Sequence, residues 1–298
     1  MKILFATDGS DTAQAALDFV QAFPFQKDSE ITLVTVIDKD NLPGVDTRGL
    51  SDEQKSSLRD TEQALQEACD EVLEKAQKRL RDAGWASTTL IRHGHAAEEI
   101  VRTAEDLGSD LVVVGSHGAT GIKRYLLGGV SSTVFAHAPC SVLIAKGEHD
   151  HRTVGDRLRM LLAYDESPSA EKAADFCAGL PLGEKVEVVA IDVLALVTLF
   201  RQDIAQRLSW HWQQQKQSAT QALARVSEKI RRATPNVDTK LRESGDVTDE
   251  ILKTAKDLDS DLIVVGHKGT GAIEKFLIGS VATRIGHHAD CSVLAVRS

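Results

Sequence analysis

Aromatic side chains are scarce, only 4% of the 298 residues. That leaves little material for the stacking platforms that hold single-stranded nucleic acid. Positive charge is also in deficit, with 35 Lys and Arg against 44 Asp and Glu and a formal charge of −9. A nucleic-acid backbone needs clustered cations, so neither DNA nor RNA is an expected partner. Oriented main-chain amides can still hold the phosphates of a nucleotide on an acidic protein. Nowhere do about 20 apolar residues run together, so no membrane-spanning helix is expected. The four cysteines (Cys69, Cys140, Cys177 and Cys291) show no C-x-x-C spacing and read as reduced thiols packed as small apolar groups. The opening MKILFATDGS enters a strand at once and has no leader pattern, which points to a cytoplasmic protein.

What the chain does have is a repeat. DLVVVGSHGATGIKRYLLGGVSSTVFAHAPCSVLIA begins at Asp110, and DLIVVGHKGTGAIEKFLIGSVATRIGHHADCSVLAV begins at Asp261. Gly115 and Gly266 lie 151 positions apart, as do Cys140 and Cys291. A length of 298 residues suits two domains of about 150 residues each. The expected bounds are 1–146 and 157–298, joined by a polar linker over 147–156.

Strand and helix patterns alternate in both halves. Ile3 to Thr7 reads as a strand ending at Asp8-Gly9-Ser10, with Ser10 or Asp11 placed to cap a helix carrying Ala13, Ala16, Leu17 and Val20. Ile31 to Ile37 is too densely apolar for one exposed face and suits a parallel strand covered on both sides. A polar stretch from Lys39 to Asp60 reads as a long excursion, able to cover a site. Leu65, Val72, Leu73, Ala76 and Leu80 then mark a long helix. Ser87 to Arg92 is a third strand, and Glu98 to Leu107 is a helix with Ile100, Val101, Ala104 and Leu107 inward. Leu111 to Val114 and Ser141 to Ala145 complete the unit. The second half repeats this order from Arg159, with Asp165 matching Asp8. There Leu194 to Ala224 reads as mostly helical, with Leu196, Val197, Phe200 and Ile204 on its apolar stripe.

Such alternation predicts two tandem doubly wound parallel five-stranded sheets, Rossmann-like, with strand order 3-2-1-4-5 inside three-layer α/β/α sandwiches. Strands one and four are then neighbours at the point where the order reverses, and ligands bind beyond their carboxyl ends. Asp8 and Gly115 face that crevice in the first half, and Asp165 and Gly266 in the second. Gly266, Gly269 and Gly279 sit where a chain must turn tightly or let an anion approach its amides. Gly279, Ser280 and Val281 open a helix, and Ser280 adds a hydroxyl. The arrangement predicts a phosphate cradle.

These motifs resemble those of the universal stress protein family, in tandem over nearly the whole chain. The shared features are the Gly-x2-Gly-x9-Gly-Ser/Thr signature, the early strand-end Asp and the closing Cys-Ser-Val-Leu strand. The resemblance implies adenine-nucleotide binding, with ATP (or AMP or ADP) and Mg2+ as cofactors. It implies Asp165, Ala190, Gly266, Gly269, Gly279, Ser280 and Val281 as the site of the second half. In the first half it implies Asp8, Val36, Gly115, Gly118 and Gly128, while Gly129 replaces the hydroxyl residue. Ser131, in the same first helical turn, is the expected substitute. The resemblance further implies that the strand-five edges of the two halves meet as an intrachain pseudo-dimer, with further pairing of chains open. Protein partners are expected but unnamed.

Rival chemistries are weaker. His93-Gly94-His95 follows a third strand and has the wrong order for a nucleotidylyl-transferase motif. Ser132 with His117 or His137 lacks a nucleophile elbow. The second half lacks an evident water-activating carboxylate, because Asp165 belongs to the nucleoside end. Any ATP hydrolysis is therefore expected to be slow, far below about 10 per second. A scaffold with empty sites is the other reading.

Overall fold

The structure is a computed structural model that describes residues 1–26, 28–38, 51–117, 127–146, 157–196, 202–268 and 278–297, apart from the side chains of residues 52 and 202–209. The chain divides into two compact units, Met1–Gly147 and Glu148–Ser298. The proposed linker lies outside the described residues, as do Gly118 and Gly269.

The first unit runs β1 (Lys2–Ala6), α1 (Asp11–Ala22), β2 (Glu30–Ile37), α2 (Asp52–Asp82), β3 (Ser87–His93), α3 (Ala96–Leu107), β4 (Leu111–Gly115), α4 (Gly129–His137) and β5 (Ser141–Ala145). Its strands pair in parallel, in the order β3-β2-β1-β4-β5. The second unit runs β6 (Leu158–Ala163), α5 (Pro168–Gly179), β7 (Val186–Ala195), α6 (Gln202–Ile230), β8 (Val237–Ser244), α7 (Val247–Asp257), β9 (Leu262–Gly266), α8 (Ser280–His288) and β10 (Ser292–Val296). Its order is β8-β7-β6-β9-β10, again parallel throughout. The predicted doubly wound topology is present in both.

The two central strands explain themselves. Leu111-Val112-Val113-Val114 and Leu262-Ile263-Val264-Val265 are buried at every position, because helices cover both faces. Right-handed crossovers put α1 and α2 on one face and α3 and α4 on the other, and each of these pairs is in contact. No described helix is long and apolar enough to cross a membrane.

Several boundaries differ from the sequence reading. Helix α2 starts at Asp52, so residues 52–60 are helix and the excursion is shorter. A capping box explains this: the Ser51 hydroxyl accepts from the Gln54 amide, and the Gln54 side chain accepts from the Ser51 amide. Strand β7 continues to Ala195, so Leu194 is strand rather than helix, and Leu196 is 47% exposed. It is therefore no part of an inward stripe. Leu107, expected inward, is 36% exposed at the last turn of α3, where Gly108 adopts the left-handed conformation that ends the helix. Cys177 and Cys291 are buried as expected, whereas Cys69 and Cys140 are half-buried; none of the four is in a disulfide.

Candidate functional site

Each unit brings its strand-one aspartate to the carboxyl end of the sheet. Asp8 and Asp165 are exposed, and each carboxylate accepts from a main-chain amide two residues on, Ser10 at 3.0 Å and Ser167 at 3.1 Å. Those same serines cap the following helices. The Ser10 hydroxyl accepts from Ala13 and the Ser167 hydroxyl from Ala170, satisfying amides that the helix leaves unpaired. The first turns also hold the loop after strand four. Thr12 donates its hydroxyl proton to the His117 carbonyl, and Ser167 to the Lys268 carbonyl.

Gly115 and Gly266 serve this packing. A Cβ on Gly266 would stand 2.6 Å from the Ser169 carbonyl carbon and 2.8 Å from the Ala170 nitrogen. At Gly115 the nearest atoms belong to Thr12 and Ala13, at 3.0 to 3.1 Å. The backbone of the first helical turn therefore fills the space beside each glycine. The sequence reading gave Gly266 to phosphate approach; its place in the structure is helix-against-strand contact.

The starts of α4 and α8 have a geometry that suits an anion. Gly128 and Gly279 are their N-caps, in ordinary extended conformation (φ −64° and −67°), with no side-chain cap. Neither first turn contains an acidic residue, whereas α1, α3, α5 and α7 each carry at least one there. Among the described residues nothing caps these two helix starts, so there the first-turn amides are open and the positive dipole end is uncompensated. A main-chain bond anchors each to its strand, from Gly128 to the Ser116 carbonyl (2.8 Å) and from Gly279 to the His267 carbonyl (2.6 Å). Ser280 is exposed at the first helical position of α8, where Gly129 stands in α4. Ser131 is turned away from the crevice. It is buried and donates its hydroxyl proton to the Gly115 carbonyl at 2.6 Å. Its donor is already committed, so the expected compensation for Gly129 does not arise in this arrangement.

The universal stress protein family profile matches residues 1–146 and again 157–297. This chain belongs to that family. A universal stress protein of Methanocaldococcus jannaschii is 36% identical over 152 residues, which is 49% of this chain and 94% of that protein. One from Mycolicibacterium smegmatis is 28% identical over 301 residues, covering 99% of this chain and 96% of that protein. The crystal structure of a universal stress protein from Archaeoglobus fulgidus shares the fold, with a TM-score of 0.63 at 21% identity, covering 99% of this chain and 98% of its own.

Within this universal stress fold, register corrects one site residue. Thr7 donates its amide to Val34, and Tyr164 donates to Ile191, so β2 and β7 are 157 positions apart. The counterpart of Val36 is therefore Val193, half-buried near the strand end. Ala190 pairs with Leu162 inside the sheet and is fully buried, three residues short of that position. It belongs to the core.

The same register reveals a residue that sequence reasoning missed. Asp192 replaces Thr35 and is only 7% exposed. Burial, then the nearby carboxylates of Asp165 and Glu166, push its pKa up to about 6. Glu166 itself holds a left-handed conformation (φ 57°) where the first unit has Gly9, and Arg225 pairs with it at 2.6 Å. The second unit therefore brings three carboxylates, Asp165, Glu166 and Asp192, together at the ends of its first two strands.

Asp192 also has a sign-definite effect on stability. A carboxyl that binds its proton more tightly when folded favours the folded state below about pH 4. That advantage is lost as pH rises through about 6. Asp192→Asn removes the titration, so it should stabilise the second unit at pH 7.5, by up to about 3 kcal/mol. The gain should vanish near pH 4. Urea unfolding of both proteins across that range measures it; equal stability at pH 7.5 would contradict the assignment.

Proposed function

We propose that this chain is an adenine-nucleotide-binding stress-response protein whose second unit is the stronger ATP site. The observation that carries the reading is the pair of open helix starts at Gly128 and Gly279, uncapped and free of first-turn acid, beside strand-end aspartates. Amides fixed in this way suit an anionic phosphate chain. Family membership and the strand-end Asp8 and Asp165 support a nucleoside at the other end of the crevice. In the second unit, the amides of Ser280, Val281 and Ala282 with the Ser280 hydroxyl would hold the phosphates. Mg2+ would neutralise part of the triphosphate charge. Amides that hold ground and transition states equally give binding without acceleration, so the proposed activity is binding rather than turnover.

The two units should differ in affinity. A hydroxyl bond to a charged phosphate contributes roughly 1.5–3 kcal/mol, about 10- to 150-fold in affinity. The first unit lacks it, since Gly129 has no side chain and Ser131 is bonded to Gly115. A Cβ at Gly129 would meet nothing within 4 Å among the described residues, so Gly129→Ser should fit there. Calorimetric titration with Mg-ATP should show the weaker site tightening by roughly that factor. An unchanged weak site would mean that the hydroxyl makes no contribution.

A further inference from the structure

The root of the second glycine loop holds an imidazole one residue nearer the strand than the first loop does. His267 follows Gly266 directly, where the first unit has Ser116. The residue is 7% exposed, and its Nδ1 has no hydrogen-bond partner among the described residues. Its main chain, by contrast, is fully engaged. The amide donates to the Val296 carbonyl at 2.9 Å, and the carbonyl accepts from Gly279 at 2.6 Å. The second bond ties His267 to the residue that caps α8. Three cations act on the ring: Arg297 following β10, Lys268 in the loop and Lys172 on α5. An unpartnered imidazole nitrogen is thus buried among positive groups, on the residue whose carbonyl holds the cap of α8.

We infer that His267 is a proton-linked residue of the second unit's phosphate site, taking up a proton when a polyphosphate chain settles on the first turn of α8. The inference rests on the nucleotide reading above and adds the way that site is regulated. In the free protein, burial first and then the three cations lower the His267 pKa to about 4, so the ring is neutral at physiological pH. Several phosphate charges would cancel the field of the cations that oppose protonation. The ring then gains a proton from solvent, and by linkage the ligand binds more tightly as pH falls. Ser116 cannot titrate, and the nearest imidazole of the first unit, His117, lies one residue further on with its Nδ1 paired to the Ser116 hydroxyl at 3.1 Å, so the linkage at this position belongs to the second unit.

The test is calorimetry on the full-length chain, with Mg-ATP as the probe, between pH 5.5 and 8. Pairs of buffers with different ionisation heats report proton uptake. His267→Gln keeps a polar group but cannot titrate, so its difference from wild type removes the ligand's own protonation. Lowering the pH from 8 to 5.5 should tighten the wild-type second site several-fold more than it tightens that of His267→Gln. Proton uptake should accompany binding in the wild type and be missing in His267→Gln. His267→Ser, which restores the first unit's residue, serves the same purpose if the Gln substitution does not fold. The imidazole resonance of the wild type gives an independent reading, because its pKa should rise when ATP is added. Identical pH dependence in wild type and substituted proteins, or an unshifted imidazole titration, overturns the inference and leaves nucleotide binding standing. Absence of ATP binding to the second unit at every pH overturns both.

Discussion

Gly279→Asp is expected to close the second unit to ATP while leaving it folded. Gly279 has φ −67° and ψ 153°, a conformation open to any residue, so the glycine is not required by the backbone. Aspartate is among the best N-caps, and its carboxylate would accept from the amides of Val281 or Ala282. It would occupy the donors that a phosphate needs and place a negative charge in the phosphate path. Helix α8 should gain roughly 0.5 kcal/mol from the cap and the dipole. Affinity for ATP should fall by at least about 100-fold, the loss of one or two charge-assisted bonds plus repulsion. Calorimetry and a thermal melt on the same sample give both numbers. Wild-type affinity in Gly279→Asp would mean that the α8 amides are not the cradle.

The second large effect is structural. Gly266→Ala should destabilise the second unit more than Gly115→Ala destabilises the first. Carbon atoms in contact prefer about 3.5–4.0 Å, and the added Cβ at position 266 would stand 2.6 Å from a main-chain carbon. Backbone cannot rotate away as a side-chain tip can, so α5 must move off β9. Overpacking of this kind costs typically 1–3 kcal/mol, and more where the neighbour is rigid. The same shift would disturb the Ser167 contact with Lys268, so ATP affinity should fall with stability. At Gly115 the clash is milder, at 3.0 to 3.1 Å. Hydrogen exchange resolved by unit should show faster opening in Gly266→Ala; equal protection in both substituted proteins would contradict the packing argument.

Much of this fold is legible in the sequence because most of its strands are short apolar runs, many of them stopped by Gly or Asp. The repeat at Asp110 and Asp261 made strand four, the last helix and strand five readable twice. The crevice followed from topology alone, since Asp8 and Gly115 end adjacent strands. Ala190 went wrong because the offset between the halves is not constant. It is 157 from Asp8 to Asp165 but 151 from Gly115 to Gly266, the second unit having a shorter stretch between its second and third strands. Counting from Asp165-x-Ser167 would have led to Val193. The start of α2 was also visible, as Ser51 followed by Gln54, but nearby Pro43, Gly44 and Gly49 made the stretch read as loop.

Other features have no one-dimensional signature. Asp192 interrupts an apolar run and could equally have faced solvent; only packing decides that it is buried beside Asp165 and Glu166. Gly266 reads like any strand-end glycine until α5 is placed against it. Ser131 offered a plausible phosphate contact by spacing, yet its hydroxyl turns toward the Gly115 carbonyl. Which side of a helical turn a short hydroxyl takes depends on the nearest unmet acceptor, and sequence spacing does not contain that.

On this reading, the main-chain amides opening α8 hold the phosphates of an adenine nucleotide. Amide resonances of the isotope-labelled full-length chain, recorded before and after Mg-ATP is added, test it most directly. Ser280, Val281 and Ala282 should shift strongly downfield as their free donors acquire charged acceptors, and Gly129, Val130 and Ser131 should follow only at higher ATP. Saturation of the protein with ATP while the α8 amides stay unmoved would place the nucleotide elsewhere and contradict the account.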